Sequence, residues 1–195
     1  MQLDEFLKSN HKTHLIFDLD LTLVFLQIDW STFRKGVWDI VAELDASLTR
    51  EVPNVSGNGM IMINRAVQKH GMRAKEMFDR YVERYEYGNF HGYLPNADLI
   101  RFVHKNHDKY TLSLWTNNCR KVVQVPLEKE RLLPCFKTTI TRDDIMLLKP
   151  EPDGFNEIFD KTCDKSGYLM IGDSIWDKEA SKKAGIDFFL IDYFS

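Results

Sequence analysis

Leu15-Ile16-Phe17 is a short, continuous apolar run that follows polar residues and stops on two aspartates, Asp18 and Asp20. A run of this kind suits a strand buried on both faces. Three more lie far downstream, at residues 110–115, 168–171 and 188–191, and residues 136–140 form a weaker fifth. Helical patterns separate them. Pro95-Asn96 opens one in which Leu99, Ile100, Phe102 and Val103 share an apolar side. Pro152 opens another, with Phe155, Ile158 and Phe159 on one face, and residues 174–184 form a third that Gly185 closes. Strands alternating with helices predict an α/β fold, a Rossmann-like parallel sheet with helices on both faces.

Residues 25–93 break the rhythm. They carry almost no strand signal but several helical ones, including the stripe Met77, Phe78, Tyr81, Val82 and Tyr85, which reads as the core of a small unit. Pro53 to Gly59 interrupts them as a loop. A connection of about seventy residues is too long for a simple loop and should fold on its own. The expected organisation is a Rossmann-like core of residues 1–24 and 94–195, with a small all-helical cap, residues 25–93, inserted after the first strand.

Composition narrows the class further. A chain of 195 residues can bury one substantial core, or one core and a small accessory unit. Its 44% hydrophobic and 28% charged residues suit a soluble globular protein. A net charge of −3 with no long run of like charge lacks the basic footprint of a nucleic-acid binder. The N-terminal Met1-Gln2-Leu3-Asp4-Glu5 is acidic where a signal peptide is basic, and no segment has the roughly twenty apolar residues of a membrane span. Cys119, Cys135 and Cys163 are odd in number and lack a C-x-x-C spacing, which fits a reducing compartment rather than a disulfide framework or structural zinc. The expectation is a cytoplasmic monomer or small oligomer.

Alternate residues of a strand point the same way, so Asp18 and Asp20 should project together from the carboxyl end of the first strand. Ligands of open α/β sheets bind at that edge. Two carboxylates so close repel, and a hard divalent ion such as Mg²⁺ resolves the conflict. A second acidic pair, Asp173 and Asp177, follows the 168–171 strand in Gly172-Asp173-Ser174-Ile175-Trp176-Asp177. Their spacing of four lets both face one side of a helical first turn, where Ser174 or Asp173 can cap. Trp115-Thr116-Asn117-Asn118 offers a hydroxyl, amides and backbone N–H groups at another strand end, and Lys149-Pro150-Glu151-Pro152 supplies a cation ahead of a helix. Taken singly, these are a cap, a turn and a solvated lysine. Together, in this order and each beside a strand end or helix start, they describe a phosphate site.

These residues resemble the haloacid dehalogenase superfamily of hydrolases, whose pattern is D-x-D-x-T, a Ser or Thr at the next motif strand, a Lys, and G-D-x-x-x-D. Here the pattern reads Asp18-Leu19-Asp20-Leu21-Thr22, Thr116, Lys149, and Gly172-Asp173 through Asp177, and it spans essentially the whole chain. The insert looks like the helical cap of the branch that includes phosphoglycolate phosphatase. The resemblance implies that Asp18 attacks phosphorus, while Asp20 acts first as acid and then as base toward water. It implies that Asp18, the Asp20 carbonyl and Asp173 hold Mg²⁺, with Thr22 and Asp177 in support. Lys149, Thr116 and Asn117 would bind the phosphoryl group. The implied reaction is Mg²⁺-dependent hydrolysis of a small phosphorylated metabolite through a phosphoaspartate. Leu21 departs from the pattern, because glycine is common there; a leucine suits an ordinary extended or turn backbone and predicts a mild change of shape.

Other readings stand beside this one. A dehalogenase of the same superfamily needs neither the metal nor a second acid, so Asp20 and the Asp173/Asp177 pair favour phosphate chemistry. A phosphomutase uses the same core residues. A non-catalytic phosphate-sensing or interaction protein on this fold would be expected to have lost Asp18 or Asp20, and both are present. His104 and His107 read as a solvated helix end, and Cys119 as a small buried or half-buried thiol. The insert's cations, Arg34, Lys35, Arg65, Lys69 and Arg73, are candidates for selecting the leaving group.

Overall fold

The computed structural model describes residues 2–55 and 58–194. Its strands are β1 (His14–Phe17), β2 (Val24–Ile28), β3 (Phe90–Pro95), β4 (Thr111–Trp115), β5 (Thr138–Ile140), β6 (Tyr168–Gly172) and β7 (Asp187–Leu190). The helices are α1 (Gln2–Ser9), α2 (Phe33–Asp45), α3 (Leu48–Glu51), α4 (Asn58–His70), α5 (Met72–Gly88), α6 (Ala97–Asn106), α7 (Arg120–Lys129), α8 (Asp153–Ile158) and α9 (Ile175–Ala184).

Five strands form one parallel sheet in the order β5-β4-β1-β6-β7. Alternation along each strand splits the apolar residues between two faces. Leu15, Phe17, Leu112, Leu114, Leu169 and Ile171 pack with Leu99, Phe102 and Val103 of α6 and Val122, Val123 and Leu127 of α7. Ile16, Tyr168 and Met170 turn to the other face, against Phe155 of α8 and Ala180 and Ala184 of α9. Every residue of β6 is buried, as a strand covered on both sides requires. This is the expected α/β sandwich of helices around a parallel sheet.

Between β1 and β4, helices α2 to α5 pack on one another through Val37, Val41, Met62, Ala66, Phe78 and Val82, a cluster continuous with the Ile16 face of the sheet. The aromatic stripe is core here, since Tyr81 and Tyr85 both pack on Phe33. Two strands absent from the sequence expectation bracket these helices. β2 and β3 pair antiparallel, with Val24 opposite Pro95 and Phe25 opposite Leu94. Val24, Leu26 and Ile28 point inward while Phe25 and Gln27 are exposed. That period of two was hidden because the apolar Phe25 occupies an outward position. The expected loop from Pro53 to Gly59 is shorter than predicted: Ser56 and Gly57 lie outside the described residues, and Asn58 and Gly59 already belong to α4. No described helix is long and apolar enough to cross a membrane.

Candidate active site

β1 is the middle strand, and the chain leaves its two neighbours, β4 and β6, in different directions. The crevice at the carboxyl ends of β1, β4 and β6 therefore lies at the point where strand order reverses. Asp18 follows β1 directly, and its N–H donates to the Ile171 carbonyl of β6. Thr116 follows β4, and Asp173 follows β6. Topology alone gathers three distant segments.

Lys149 joins them from the 140s loop. Its buried ammonium donates to Asp18 Oδ1 at 2.6 Å, to Asp177 Oδ1 at 2.5 Å and to the Trp115 carbonyl at 3.0 Å. Burial alone would lower this lysine, but Asp177 and Asp18 more than offset it and hold the ammonium above the usual lysine range. Asn117 sets the loop's position, its side chain accepting from Lys149 N at 2.9 Å and donating to Lys149 O at 3.1 Å.

Asp18, Asp173 and Asp177 offer oxygens within 4.8 Å of one another. One lysine cannot neutralise three carboxylates. Burial pushes Asp18 well above the ordinary carboxylate range, with Asp177 and Asp173 adding to the rise and Lys149 opposing it. Asp173 is raised by burial and then by Asp177. Asp20 is raised to about 7, chiefly by burial, although its Oδ1 accepts from Leu26 N at 2.8 Å. An all-oxygen cluster short of positive charge fits a hard divalent cation. Thr22 is fully buried and donates to Asp173 Oδ1 at 3.2 Å. Asp177 Oδ2 accepts from the N–H and hydroxyl of Ser174, closing the capping box of α9. Both Asp177 oxygens thus have protein partners, so it braces Lys149 and the helix start. Gly172 makes that approach possible, because a Cβ there would lie 2.6 Å from the Asp177 carboxyl carbon.

Leu21 departs from its expected backbone. Its φ is +60°, the left-handed region glycine takes freely, so the turn between Asp20 and Thr22 keeps a glycine-type shape and the leucine bears the strain. Thr116 is fully buried, its hydroxyl donating to Asn118 Oδ1 at 2.9 Å, while Asn117 and Asn118 face the crevice.

Several contributors were not read from the sequence. Glu86 of α5, fully buried, accepts from Cys119 N at 2.8 Å and from Asn118 Nδ2 at 3.5 Å, tying the helical insert to the Thr116 loop. Burial raises its carboxyl, and the nearby Arg142 opposes the rise. Asn64 of α4 makes a reciprocal pair with the backbone of Leu148, beside Lys149, at 2.8 and 2.9 Å. A lone Glu and a lone Asn on amphipathic helices carry no signal of such partners. Trp30, Phe33, Met60 and Trp176 line a cavity of about 660 Å³ that also holds Asp18, Asp20, Lys149 and Arg34. The weaker candidates lie elsewhere: His104 contacts the Glu130 carbonyl, His107 pairs with Asp108, and burial pushes the Cys119 thiol up and away from reactivity.

A profile of the haloacid dehalogenase-like hydrolase family matches residues 15–191, and the chain belongs to that family. It is an enzyme of the hydrolase class. Among its relatives is the phosphoglycolate phosphatase of Aliivibrio fischeri, 26% identical over 89% of this chain and 85% of that protein. The fold is shared with a HAD-like family hydrolase predicted from Porphyromonas gingivalis, at a TM-score of 0.59 and 16% identity over 95% of this chain and 93% of the other. A HAD phosphatase from Thermococcus onnurineus superposes at 0.53, with 19% identity over 92% and 86%.

Proposed function

We propose that the chain is a Mg²⁺-dependent phosphatase that hydrolyses small phosphomonoesters through a phosphoaspartate on Asp18. The observation that carries this is the Lys149 ammonium held between Asp18 and Asp177, with Asp173 completing a cluster of carboxylates short of positive charge. Phosphoryl transfer is mainly positioning and neutralisation of charge, which is what this arrangement offers. Similarity to phosphoglycolate phosphatase over most of the chain supports the same reading.

In this reading Asp18 and Asp173, with the Asp20 carbonyl, hold Mg²⁺, and Thr22 and Asp177 support them. The ion supplies neutralisation of the phosphoryl oxygens and of the attacking carboxylate. Asp18 attacks phosphorus, the ester P–O bond breaks, and Asp20 gives its proton to the departing alkoxide. A carboxyl raised to about 7 still holds that proton near neutrality. Asp20 then takes a proton from the water that cleaves the acyl phosphate, returning Asp18 and releasing phosphate. Lys149, the Thr116 hydroxyl and the Asn117 backbone amide bind the phosphoryl oxygens, the Thr116 hydroxyl turning from Asn118 to do so.

The division into a core of residues 1–24 and 94–195 and a cap of residues 25–93 belongs to the same proposal, the cap overhanging Asp18 and restricting entry to small phosphorylated metabolites rather than nucleic acids. Three unpaired cysteines support a reducing, cytoplasmic setting. Phosphate release from a panel of small esters, with and without Mg²⁺, tests the activity. Asp18→Asn should lower it by roughly 10⁴-fold or more with the fold intact. No turnover of any ester, or full activity in the variant, would overturn the reading.

A further inference from the structure

Of the insert's five candidate cations, one alone meets the cavity. Lys35 is paired with Asp39 at 2.6 Å and Lys69 with Asp45 at 2.7 Å, and neither they nor Arg65 nor Arg73 line it. Arg34, in the first turn of α2, does line it; it is exposed, and among the described residues its guanidinium has no ion-pair or hydrogen-bond partner. The same cavity takes its apolar lining from Trp30, Phe33, Met60 and Trp176, beside polar Ser31 and Ser174. Trp30 is half-buried, packed edge-on to Phe33 at a centroid distance of 5.0 Å and stacked on Tyr85 at 6.1 Å. Aromatic side chains have few rotamers to lose, so a ring that packs on them binds at small entropic cost.

Size points the same way. Cavities of roughly 300–1,000 Å³ enclose drug-sized ligands, and about 660 Å³ is far more than a phosphoryl group with a two-carbon tail fills. Such a tail would also leave the aromatic side chains facing water.

We propose that this cavity selects phosphomonoesters whose alcohol carries an aromatic or heteroaromatic ring with an anionic substituent, the ring lying among Trp30, Phe33, Met60 and Trp176 and the anion meeting Arg34. The inference rests on the phosphatase reading and adds the class of leaving group. Phosphate remains at Asp18 and Lys149, so the ring is the alcohol side of the bond that breaks.

Ethyl, benzyl and 4-carboxybenzyl phosphate test it, because all three depart as primary alkoxides of similar basicity. With Mg²⁺, kcat/KM should rise at least roughly tenfold from ethyl to benzyl, the scale at which an apolar pocket discriminates. It should rise again, by roughly two- to fivefold, on adding the carboxylate, the scale of a solvent-exposed charge pair. Arg34→Ala should abolish the second gain, and Arg34→Lys should restore part of it. Equal kcat/KM for ethyl and benzyl phosphate overturns the ring assignment while leaving the phosphatase reading intact. A carboxylate gain that survives Arg34→Ala overturns the role of Arg34. No turnover of any of the three, nor of other small esters, removes the phosphatase reading and this inference together.

Discussion

Leu21 occupies a backbone conformation that costs a residue with a Cβ about 1–2 kcal/mol, at φ +60° and with its side chain partly exposed. Glycine there would lose the strain but gain freedom in the unfolded chain, offsetting about half of the benefit. Leu21→Gly should therefore stabilise the protein by about 0.5–1 kcal/mol, raising Tm by roughly 2 °C for a chain of this size. Thermal unfolding checks this, and a lower Tm would contradict it. The residue scale is also where the sequence was most legible. The order of Asp18, Asp20, Lys149, Asp173 and Asp177 beside strand ends and helix starts, with the family pattern they resemble, points to them, and they converge within hydrogen-bond reach of one another or of the same crevice. The conformation of Leu21 was not legible, because propensity describes what a leucine prefers rather than what the turn before Thr22 imposes.

At the scale of elements, the tie between α4 and the Lys149 loop rests on one buried amide. Asn64→Ala would leave the Leu148 N–H without its partner, while the Leu148 C=O keeps the Glu151 N–H at 2.9 Å, and one unsatisfied buried group costs roughly 1–3 kcal/mol. A loss of about 2 kcal/mol is expected in urea unfolding. Asn64→Leu, which fills the space without the bonds, should lose a similar amount; a neutral Asn64→Leu would mean that packing alone matters there. Continuous apolar runs revealed β1, β4 and β6, since burial on both faces writes itself into composition. β2 and β3 escaped because one face is exposed and carries Phe25 and Leu94, which blur the alternation. Helix α7 escaped for another reason: Pro126 interrupts its pattern, although the helix continues through it with Val122, Val123 and Leu127 buried.

At the scale of the whole molecule, the sheet edge concentrates more negative charge than Lys149 can balance, and this sets a pH dependence. Unfolded aspartates titrate near 3.9, whereas burial keeps Asp20 protonated up to about 7 in the folded chain, with Asp18 and Asp173 also raised. The folded state therefore binds more protons between these limits, and metal-free stability should fall as pH rises from about 4 to about 7. Binding of Mg²⁺ should reverse that loss, so the gain in Tm on adding it should be larger at pH 8 than at pH 5. Thermal unfolding at the two values decides the matter, and an equal gain at both would contradict this charge balance. The central claim is that Asp18 carries the phosphoryl group. Acid quenching during turnover of a phosphomonoester with Mg²⁺, followed by borohydride reduction and peptide mass analysis, reads it directly. The expected product is homoserine at position 18, formed from the acyl phosphate and absent without substrate; turnover with position 18 unmodified, or with the phosphoryl group on another residue, would contradict it.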